Sequence, residues 1–295
     1  MQSSPVLSVG IPVFNGSKWI EEAIGSILSQ SFTDFELIIC DNASSDETEK
    51  ISRQAASADA RIRYYRNATN IGVYANYDRV FELSTGRYFK WAACSDLCLQ
   101  DFFEKCVAAL DALPDAVLAY PRAYMLVTAP GTGEYAVEYE DNLNLEFERP
   151  SRRFAEYLDR ERFNNVMNGV IRSSALRGTA LNRPLPGSDI SMIAELALRG
   201  KFVEIPDRLF VRRFNPETTG ILMDSETSRA PAIGYPGKPN NIQRIRLHSY
   251  RFVTAFRAPI SFAEKLRVWR YLLRRIIRLA PQVRRKLLQI VTPGG

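Results

Sequence analysis

The sequence predicts an α/β fold: a doubly wound, mostly parallel, Rossmann-like sheet with a basic helical extension at the C-terminal end. Over the first 120 residues, short apolar runs alternate with segments whose apolar residues recur every three or four positions. Residues 238–295 carry 14 Lys and Arg against one acid, whereas the first 237 residues carry 25 bases and 32 acids. With 295 residues, 46% of them hydrophobic, the chain can bury a core without disulfide or metal cross-links.

Five strands are predicted in the first 120 residues. The first is an apolar run closed by Asn15 and Gly16, two residues typical of turns. The other four runs share its apolar character and short length. The predicted strands span residues 7–14, 35–40, 61–65, 87–93 and 116–120.

A helix is predicted after each of the first four strands. In the first helix, apolar residues from Trp19 to Leu28 recur at helical spacing. The second starts at Asp46, because an Asp followed three residues later by Glu49 is typical of a helix N-terminus. The predicted helices span residues 19–28, 46–58, 71–83 and 101–113. Such strand–helix units build a mostly parallel sheet.

The middle of the chain is less regular. We predict a loop at 128–133, a strand at 163–171, a helix from Ser188 or Asp189 to Gly200, and strands at 202–205 and 209–213. Residues 225–241, with three prolines and two glycines, read as a loop or linker.

Polar residues follow the first four predicted strands. In a parallel sheet, ligands bind beyond the carboxyl ends of the strands, so these residues predict a binding crevice. They are Asn15, Asp41, Asn42, Asn67, Asn70, Ser95 and Asp96.

An ordered series of motifs resembles the family 2 glycosyltransferases with the GT-A fold. The series covers about residues 5–215 and is specific for the superfamily, but not for the sugar or the acceptor. The matching segments are 12–15, 27–30, 35–46, 70–72, 86–89, 187–196, Pro206 and 209–213. The resemblance implies transfer of a sugar from a nucleotide-sugar, with UDP favoured, to an acceptor hydroxyl with inversion.

The resemblance also implies roles for individual residues near the nucleotide. Asp41 would accept hydrogen bonds from the base or the ribose. The other residues would border the nucleotide, and they are Pro12, Phe14, Asn15, Asn70, Gly72 and Ser95.

For the chemistry, the resemblance implies that Asp96 holds a divalent metal, Mg²⁺ or Mn²⁺, against the diphosphate. Asp189 would deprotonate the acceptor hydroxyl, which is otherwise a poor nucleophile. Arg212 or Arg213 would stabilise the leaving group. Because these two arginines are consecutive on a predicted strand, only one is expected to face the crevice, and the other is expected to be solvated.

The metal motif departs from the family pattern. Relatives carry two adjacent acids after the fourth strand, whereas here Ser95 precedes Asp96, and Asn215 stands where many relatives have a His. Three alternatives follow. A metal is held weakly by Asp96, the diphosphate and water; or Arg212, Arg213 or Lys90 neutralises the diphosphate without a metal; or the site binds without catalysing.

The basic C-terminal segment predicts an amphipathic helix. Leu266, Trp269, Leu273, Ile276 and Ile277 share one helical face, and arginines fill another. A basic amphipathic helix with a Trp suits an anionic membrane surface, contacted through residues 264–291. Packing on the body of the protein and an oligomer contact are the alternatives. Direct nucleic-acid binding is not predicted, because the excess of basic residues is confined to this segment.

Three parts of the chain are predicted. Residues 1–215 form the glycosyltransferase domain, with a nucleotide-binding half at about 1–120 and an acceptor half at about 121–215. Residues 216–245 form a linker, and 246–295 the basic helical segment. Four cysteines and the lack of a secretion signal or a long apolar run predict a cytoplasmic protein, with peripheral attachment to the inner face of the membrane as an option.

The predicted function is sugar transfer in surface glycan or glycolipid assembly, with a glycan, lipid-linked or small-molecule acceptor. The main alternative is a non-catalytic GT-A module that binds a nucleotide-sugar or glycan. A nucleotidyltransferase is disfavoured, because no Gly-rich phosphate loop bearing Lys or Arg follows the first strand.

Overall fold

The computed structural model describes residues 4–129, 133–214 and 241–291. In these ranges the strands are β1 (Leu7–Val13), β2 (Phe35–Asp41), β3 (Ile62–Arg66), β4 (Tyr88–Trp91), β5 (Leu97–Cys98), β6 (Ala116–Ala129), β7 (Gly133–Tyr139), β8 (Val170–Arg172) and β9 (Lys201–Phe214). The helices are α1 (Ile20–Leu28), α2 (Thr48–Ala58), α3 (Val73–Glu82), α4 (Phe102–Ala112), α5 (Pro150–Arg160), α6 (Ser173–Arg177), α7 (Ser188–Arg199), α8 (Asn241–Arg257) and α9 (Phe262–Val291). A 3₁₀ turn spans Asn165–Asn168.

The strands form a single sheet in the order β3-β2-β1-β4-β8-β6-β9-β5, and β7 pairs with β6. β1, β2, β3 and β4 pair in parallel, as do β6 and β9. β8 lies antiparallel between β4 and β6, so β6 and β9 run in the same direction as the first four strands. The prediction of a mostly parallel α/β sheet is therefore confirmed, with β5, β7 and β8 as antiparallel members.

Two apolar layers cover the sheet. Alternate residues of a strand point to opposite faces, and β2 shows this directly. Leu37 and Ile39 join one cluster, packed with α1 and α4, whereas Ile38 and Cys40 join the other, packed with α3, α5 and α7. The sheet consequently lies between the two layers.

The first four predicted helices all form, and their boundaries differ from the predictions by two residues or fewer. Helix α2 begins at Thr48 rather than at Asp46. Asp46 Oδ1 instead accepts hydrogen bonds from the backbone amide of Thr48 at 3.0 Å and from its hydroxyl. The carboxylate therefore satisfies one of the amides that the first turn leaves without a helical partner.

Three predictions for the middle of the chain need correction. Asn164 has a left-handed backbone (φ 49°) that starts the 3₁₀ turn, so only the end of the predicted strand 163–171 forms, as β8. The predicted strands 202–205 and 209–213 are one strand, β9, because a register shift opposite Arg122 accommodates Pro206 and Asp207. The predicted loop at 128–133 overlaps the ends of β6 and β7, which form a hairpin.

The C-terminal helices pack on the body of the protein. Val268 and Leu272 of α9 are fully buried, and they join the core cluster that includes α5 and α8. The predicted linker lies mostly outside the described residues, and its last residues, 241–245, belong to α8. Within the described ranges, no helix combines the length and the apolar character that crossing a bilayer requires.

Candidate functional site

Loops at the carboxyl ends of β1 and β2 are joined by hydrogen bonds. Asn15, exposed and in a left-handed conformation (φ 50°), donates its backbone amide to Ser44 Oγ at 2.9 Å. Its side-chain oxygen accepts the backbone amide of Ser45 at 2.8 Å. The next two amides bind the start of α2 and the loop before it, since Gly16 donates to Thr48 Oγ1 at 2.9 Å and Ser17 to Asp46 Oδ2 at 3.0 Å. The loops that follow β1 and β2 are therefore held together by hydrogen bonds at this edge of the sheet.

Asp41 is completely buried at the end of β2. Its carboxylate accepts hydrogen bonds from the Ser44 amide at 2.8 Å, the Tyr64 hydroxyl at 2.8 Å and the Arg66 guanidinium at 2.7 Å. With these three donors and no exposed surface, the carboxylate has no open side for a base or a ribose in this conformation. Asp41 orders the loop that follows β2, which differs from the direct contact expected from the sequence.

Side-chain amides form a network beside Asp41. Asn42 donates to Asn70 Oδ1 at 2.7 Å and accepts from Asn67 at 2.9 Å. Asn67 also donates to Asn76, which in turn donates to the carbonyl of Cys40 at 2.9 Å. The Nδ2 of Asn70 is buried and has no hydrogen-bond partner among the described residues.

The other expected nucleotide residues surround this network. Pro12 is buried opposite Cys40 in the register of β1 and β2, and Phe14 is partly buried. Gly72 accepts a left-handed backbone (φ 88°) just before α3, and its amide donates to Asn70 Oδ1 at 2.9 Å. A Cβ at Gly72 would meet no atom within 4 Å, so the space above this residue is open.

Asp96 lies in the loop between β4 and β5, and its side chain is 8% exposed. Its Oδ1 accepts the backbone amide of Arg213 at 3.1 Å and the Ser95 hydroxyl at 3.3 Å. Burial raises the pKa of Asp96, and the positive charge of Arg212 opposes that rise. Asp96 is thus coupled to both arginines at the end of β9.

The side chain of Arg213, at the end of β9, contacts both α1 and the loop that carries Asp96. It donates to the carbonyl of Ser95 at 3.1 Å, and its Nη2 donates to both carboxylate oxygens of Glu22 of α1 at 2.9 and 3.0 Å. Its guanidinium carbon lies 4.7 Å from the centre of the Trp19 ring. Because Arg213 is also only 8% exposed, it holds α1 and the Asp96 loop against β9.

The side chain of Arg212 takes a different direction. It donates to the carbonyl of Phe163 at 2.5 Å and is partly buried. The expectation that one of the two arginines is solvated is therefore wrong, since both side chains are engaged. Alternation along β9 sends the two guanidinium groups to two different parts of the site.

Asp189 lies in the first turn of α7 and is held by Asn164. Asn164 Nδ2 donates to Asp189 Oδ2 at 2.8 Å, and Asn164 Oδ1 accepts the Tyr157 hydroxyl at 2.6 Å. Burial raises the pKa of Tyr157 well above its usual range, so the phenol stays protonated as a donor. Asn164 follows Phe163 directly, so Arg212 and Asp189 are bound by adjacent residues.

Two acids near this loop were not predicted from the sequence. Burial raises the pKa of Glu161, whose carboxylate accepts a backbone hydrogen bond from Asn164 and lies near Asp189. Burial likewise raises the pKa of Asp141 to about 6, and its Oδ2 has no hydrogen-bond partner among the described residues. The charge of Arg212 lowers both pKa values, so Arg212 is the cation shared by these acids and Asp96. Neither acid lies in a motif, and no sequence signal could have found them.

The donor groups fit only a metal that shares its coordination with a diphosphate. The described residues contain no group of three or more His, Cys, Asp or Glu side chains arranged to hold a metal ion. Asp96 offers one carboxylate, with Ser95 as a neutral neighbour. A Mg²⁺ ion does bind through one carboxylate, substrate phosphates and water, so this set suffices for a weak site.

Lys90 is unavailable to a diphosphate in this conformation. It is completely buried on β4, 4.5 Å from the centre of the Phe102 ring, and it donates to the carbonyls of Trp91 and Asn168. Burial lowers its pKa. The sequence alternative that used Lys90 as a phosphate ligand is therefore not supported by its position.

The family model for Glycosyl transferase family 2 matches residues 8–182, more than half of the chain. The chain belongs to glycosyltransferase family 2. EpsE of Bacillus subtilis, a protein assigned to the glycosyltransferases, is 38% identical over 112 residues, which are 38% of this chain and 40% of EpsE. The GalNAc(5)-diNAcBac-PP-undecaprenol beta-1,3-glucosyltransferase of Campylobacter jejuni is 27% identical over 199 residues, which are 65% of this chain and 60% of that enzyme. Each match covers less than two thirds of the relative's own length.

The fold of this family 2 member is also found in solved structures. The S. aureus protein TarS, crystallised as residues 1–349 with UDP-GlcNAc, superimposes with a TM-score of 0.64. The superposition covers 90% of this chain and 71% of that 1–349 fragment at 14% sequence identity. At that identity the likeness establishes the GT-A fold.

Proposed function

We propose that this protein transfers a sugar from a nucleotide-sugar, with UDP favoured, to an acceptor hydroxyl with inversion of the anomeric centre. One observation carries the proposal. The backbone of Arg213 binds Asp96, while the side chain of Arg212 binds the carbonyl next to Asn164, which holds Asp189. The last residues of β9 thus join the carboxylate proposed for the diphosphate to the carboxylate proposed for the acceptor.

The nucleotide is proposed to lie on the loops after β1, β2 and β3. The unpartnered Nδ2 of Asn70 is a donor for a base or ribose oxygen, and the open space over Gly72 allows close approach. Pro12, Phe14 and Asn15 would border the base. Asp41 contributes indirectly, since it orders the loop that carries Ser44.

The diphosphate is proposed to lie between Asp96 and Arg212. A divalent ion held there by Asp96 would offset the charge that develops on the diphosphate as it leaves. Arg212 supplies a fixed positive charge that already acts on Asp96. Arg213 keeps this loop in place and contributes less directly, because Glu22 and Ser95 occupy its guanidinium.

Asp189 is proposed as the base. It takes the proton of the acceptor hydroxyl while the hydroxyl oxygen forms a bond to the anomeric carbon. The bond from that carbon to the diphosphate oxygen breaks with its electron pair, and attack opposite the leaving group inverts the centre. Asn164 supports this role, because its hydrogen bond fixes the direction in which the carboxylate points.

The acceptor is proposed to be a glycan or lipid-linked saccharide handled on the cytoplasmic side of a membrane. The name of the Campylobacter jejuni relative, which describes a glucosyltransferase acting on an undecaprenol-linked glycan, supports a lipid-linked acceptor. A small-molecule acceptor fits the same chemistry, since only a hydroxyl near Asp189 is required.

Calorimetric titration of the full chain with UDP, GDP and dTDP, each with Mn²⁺ and with EDTA, tests the donor half. We expect UDP to bind more tightly than GDP and dTDP, and we expect its affinity to fall in EDTA. Equal binding of UDP in EDTA would assign the diphosphate to the arginines alone. Absence of binding by all three nucleotides would overturn the proposal.

The Asp189→Asn variant tests the catalytic half. We expect UDP release from a UDP-sugar to fall by about a hundredfold or more with UDP affinity unchanged, which is the loss typical of a general base. Asp207→Asn, on the partly exposed ion pair with Lys105, is the matched control and should behave as the wild type.

A non-catalytic module that binds a nucleotide-sugar or glycan is the second candidate. Asp96 stands without the second acid of the family motif, and this favours binding without turnover. That function is distinguished by UDP binding in the absence of any UDP release from a panel of UDP-sugars and acceptors.

A further inference from the structure

We propose that the exposed side of the α8–α9 hairpin binds an anionic bilayer surface and holds the Asp189 end of the site at that surface. The first part stands on the helices themselves, and the second rests on the proposed function. The proposal follows from the apolar face, the adjacent arginines and the attachment of both helices to the acceptor end.

The outer face of α9 is apolar and uncovered. It consists of Phe262, Leu266, Leu273, Ile276 and Ile277, which are 37% to 68% exposed. At 100° per residue these side chains share one stripe of the helix, opposite the buried Val268. The same helix therefore packs on the protein through one face and presents a second apolar face to solvent.

The apolar surface continues from α9 onto α8. The ring of Trp269 stacks on Phe256, with centroids 6.1 Å apart and planes 12° from parallel. Phe256 and Val253 of α8 are 60% and 44% exposed. A surface of this kind, spread over two antiparallel helices, is wider than the isolated apolar side chains common on soluble proteins.

Arginines lie directly beside the apolar face. Arg267, Arg270 and Arg274 form a stripe next to it, and no acidic partner of Arg270 or Arg274 is found in the described part of the chain. These three residues, with Tyr271, Arg275 and Asp159, line an open cleft of about 420 Å³. Its size and charge suit phosphate headgroups.

Charge favours a bilayer over a second copy of the chain. Residues 238–295 contain a single acid, Glu264, which is already bound to the Ser151 amide and to Arg267. A self-complementary dimer through this face would bring arginines against arginines. An anionic membrane offers hydrocarbon for the apolar stripe and negative charge for the arginines.

The hairpin is attached to the helices that carry the acceptor end. Arg275 and Tyr271 of α9 bind Asp159 of α5, each at 2.6 Å, and Tyr157 of the same helix binds Asn164. Arg251 of α8 donates to Ser191 Oγ of α7 at 3.0 Å. Since Asp189 lies in the first turn of α7, a bilayer bound by the hairpin lies on the acceptor side of the sheet.

Co-sedimentation of the full chain with vesicles tests the surface. We expect binding to phosphatidylcholine vesicles containing phosphatidylglycerol, weak binding to phosphatidylcholine alone, and release at about 0.5 M NaCl. Leu273→Ser with Ile277→Ser, and separately Arg270→Glu with Arg274→Glu, should each lower the partition coefficient by about tenfold or more.

Two double variants are matched controls. Tyr135→Ser with Val137→Ser removes exposed apolar side chains from β7, and Lys50→Glu with Arg53→Glu reverses two charges on α2. Both should bind vesicles as the wild type does. The proposal would be overturned if these controls lost as much vesicle binding as the hairpin variants do, or if the wild type did not bind anionic vesicles. A dimer that the Leu273/Ile277 variant converts to monomer with vesicle binding unchanged would also overturn it.

Orientation is tested without activity. In a Cys94→Ser background, a fluorophore on Arg162→Cys, beside Glu161, should be quenched more strongly by headgroup-spin-labelled lipid than one on Lys50→Cys. The reverse order would overturn the placement of the acceptor end. Asp189→Asn should bind vesicles normally, so failure of the proposed function and failure of this proposal give different results.

Discussion

Asn164 donates its side-chain amide to Asp189 at 2.8 Å, while its amide oxygen is fixed by the Tyr157 hydroxyl at 2.6 Å. Because a carboxylate only accepts hydrogen bonds, the amide of Asn164 presents its NH₂ group to Asp189 and its oxygen to the Tyr157 hydroxyl. The left-handed backbone of Asn164 places this side chain, and its backbone binds Glu161. Asn164 is therefore a positioning residue for the proposed base.

Replacing Asn164 tests this role. Asn164→Gly keeps the left-handed backbone accessible but removes the hydrogen bond to the carboxylate, and a hydrogen bond to a charged group contributes about 1.5–3 kcal/mol. We expect kcat to fall about 10- to 100-fold with the Kd for UDP unchanged, measured by UDP release and calorimetry. Tyr157→Phe should lower kcat less, because it frees the amide to rotate without removing it. Equal loss of UDP affinity would indicate a purely structural role.

The Asp46 carboxylate is expected to stabilise the fold above acidic pH. Its hydrogen bonds to Thr48 and Ser17 outweigh the effect of burial and lower its pKa to about 2. A lowered pKa contributes stability that is present above the unfolded value of about 4 and is lost as the pH falls towards 2. Asp46→Asn should therefore lower the free energy of unfolding by up to about 2 kcal/mol at pH 7.

The measurement for Asp46 is urea unfolding of the wild type and the variant between pH 7 and pH 3. The gap between the free energies of unfolding of the two proteins should narrow as the pH falls. A gap that is constant with pH would show that the carboxylate charge is not the source of the stability.

Asp141 should show the opposite pH dependence. Burial raises its pKa to about 6, so the folded state takes up a proton more readily than the unfolded state. Its contribution to the free energy of unfolding is greatest below the unfolded-state pKa of about 4. The free energy of unfolding of the wild type should therefore fall by about 2 kcal/mol as the pH rises from 4 through 6. In urea unfolding, the free energy of unfolding of Asp141→Asn should fall by less over that pH range. Asp78, whose pKa burial also raises to about 6, is present in both proteins and cancels in the comparison.

The Gly72→Ala variant measures the free-energy cost of the backbone conformation without a contribution from steric crowding. The added Cβ would meet no atom within 4 Å, so the cost comes from the backbone conformation alone (φ 88°, ψ 158°), about 1–3 kcal/mol of unfolding free energy. Because Asn70 accepts the Gly72 amide, UDP affinity should fall as well. Gly25→Ala, in helix α1 and equally uncrowded, should instead stabilise the protein by up to about 1 kcal/mol in the same unfolding experiment.

Much of the nucleotide half could be predicted from residue patterns, because its strands and helices are continuous and each has a clear period. Helix α1, for example, follows directly from the spacing of Ile20, Ile24 and Ile27. The Asp189 surroundings could not be predicted in the same way. Asn164, Glu161 and Asp141 come from irregular segments, and only tertiary packing brings them near Arg212.

Asp41 illustrates a second limit of sequence patterns. Its place at the end of β2 was correctly predicted, but its partners Tyr64 and Arg66 come from the neighbouring strand. The pairing of β2 with β3 brings these donors to the carboxylate and closes it to solvent. A motif locates such a residue, whereas the register of adjacent strands decides whether it meets a ligand.

The bulge at Pro206 and Asp207 has a consequence for the two arginines that follow it. A second register shift leaves Leu209 without a residue opposite it on β6, and regular pairing resumes at Phe210. Side chains on a strand alternate between its two sides, so the residue count from Phe210 decides which guanidinium turns toward Glu22 and which toward Phe163. Deleting one residue from the regular segment 210–211 would turn Arg213 to the side that faces Phe163 and leave Glu22 without its guanidinium partner. The order of the residues after Leu209 therefore assigns one arginine to each half of the site.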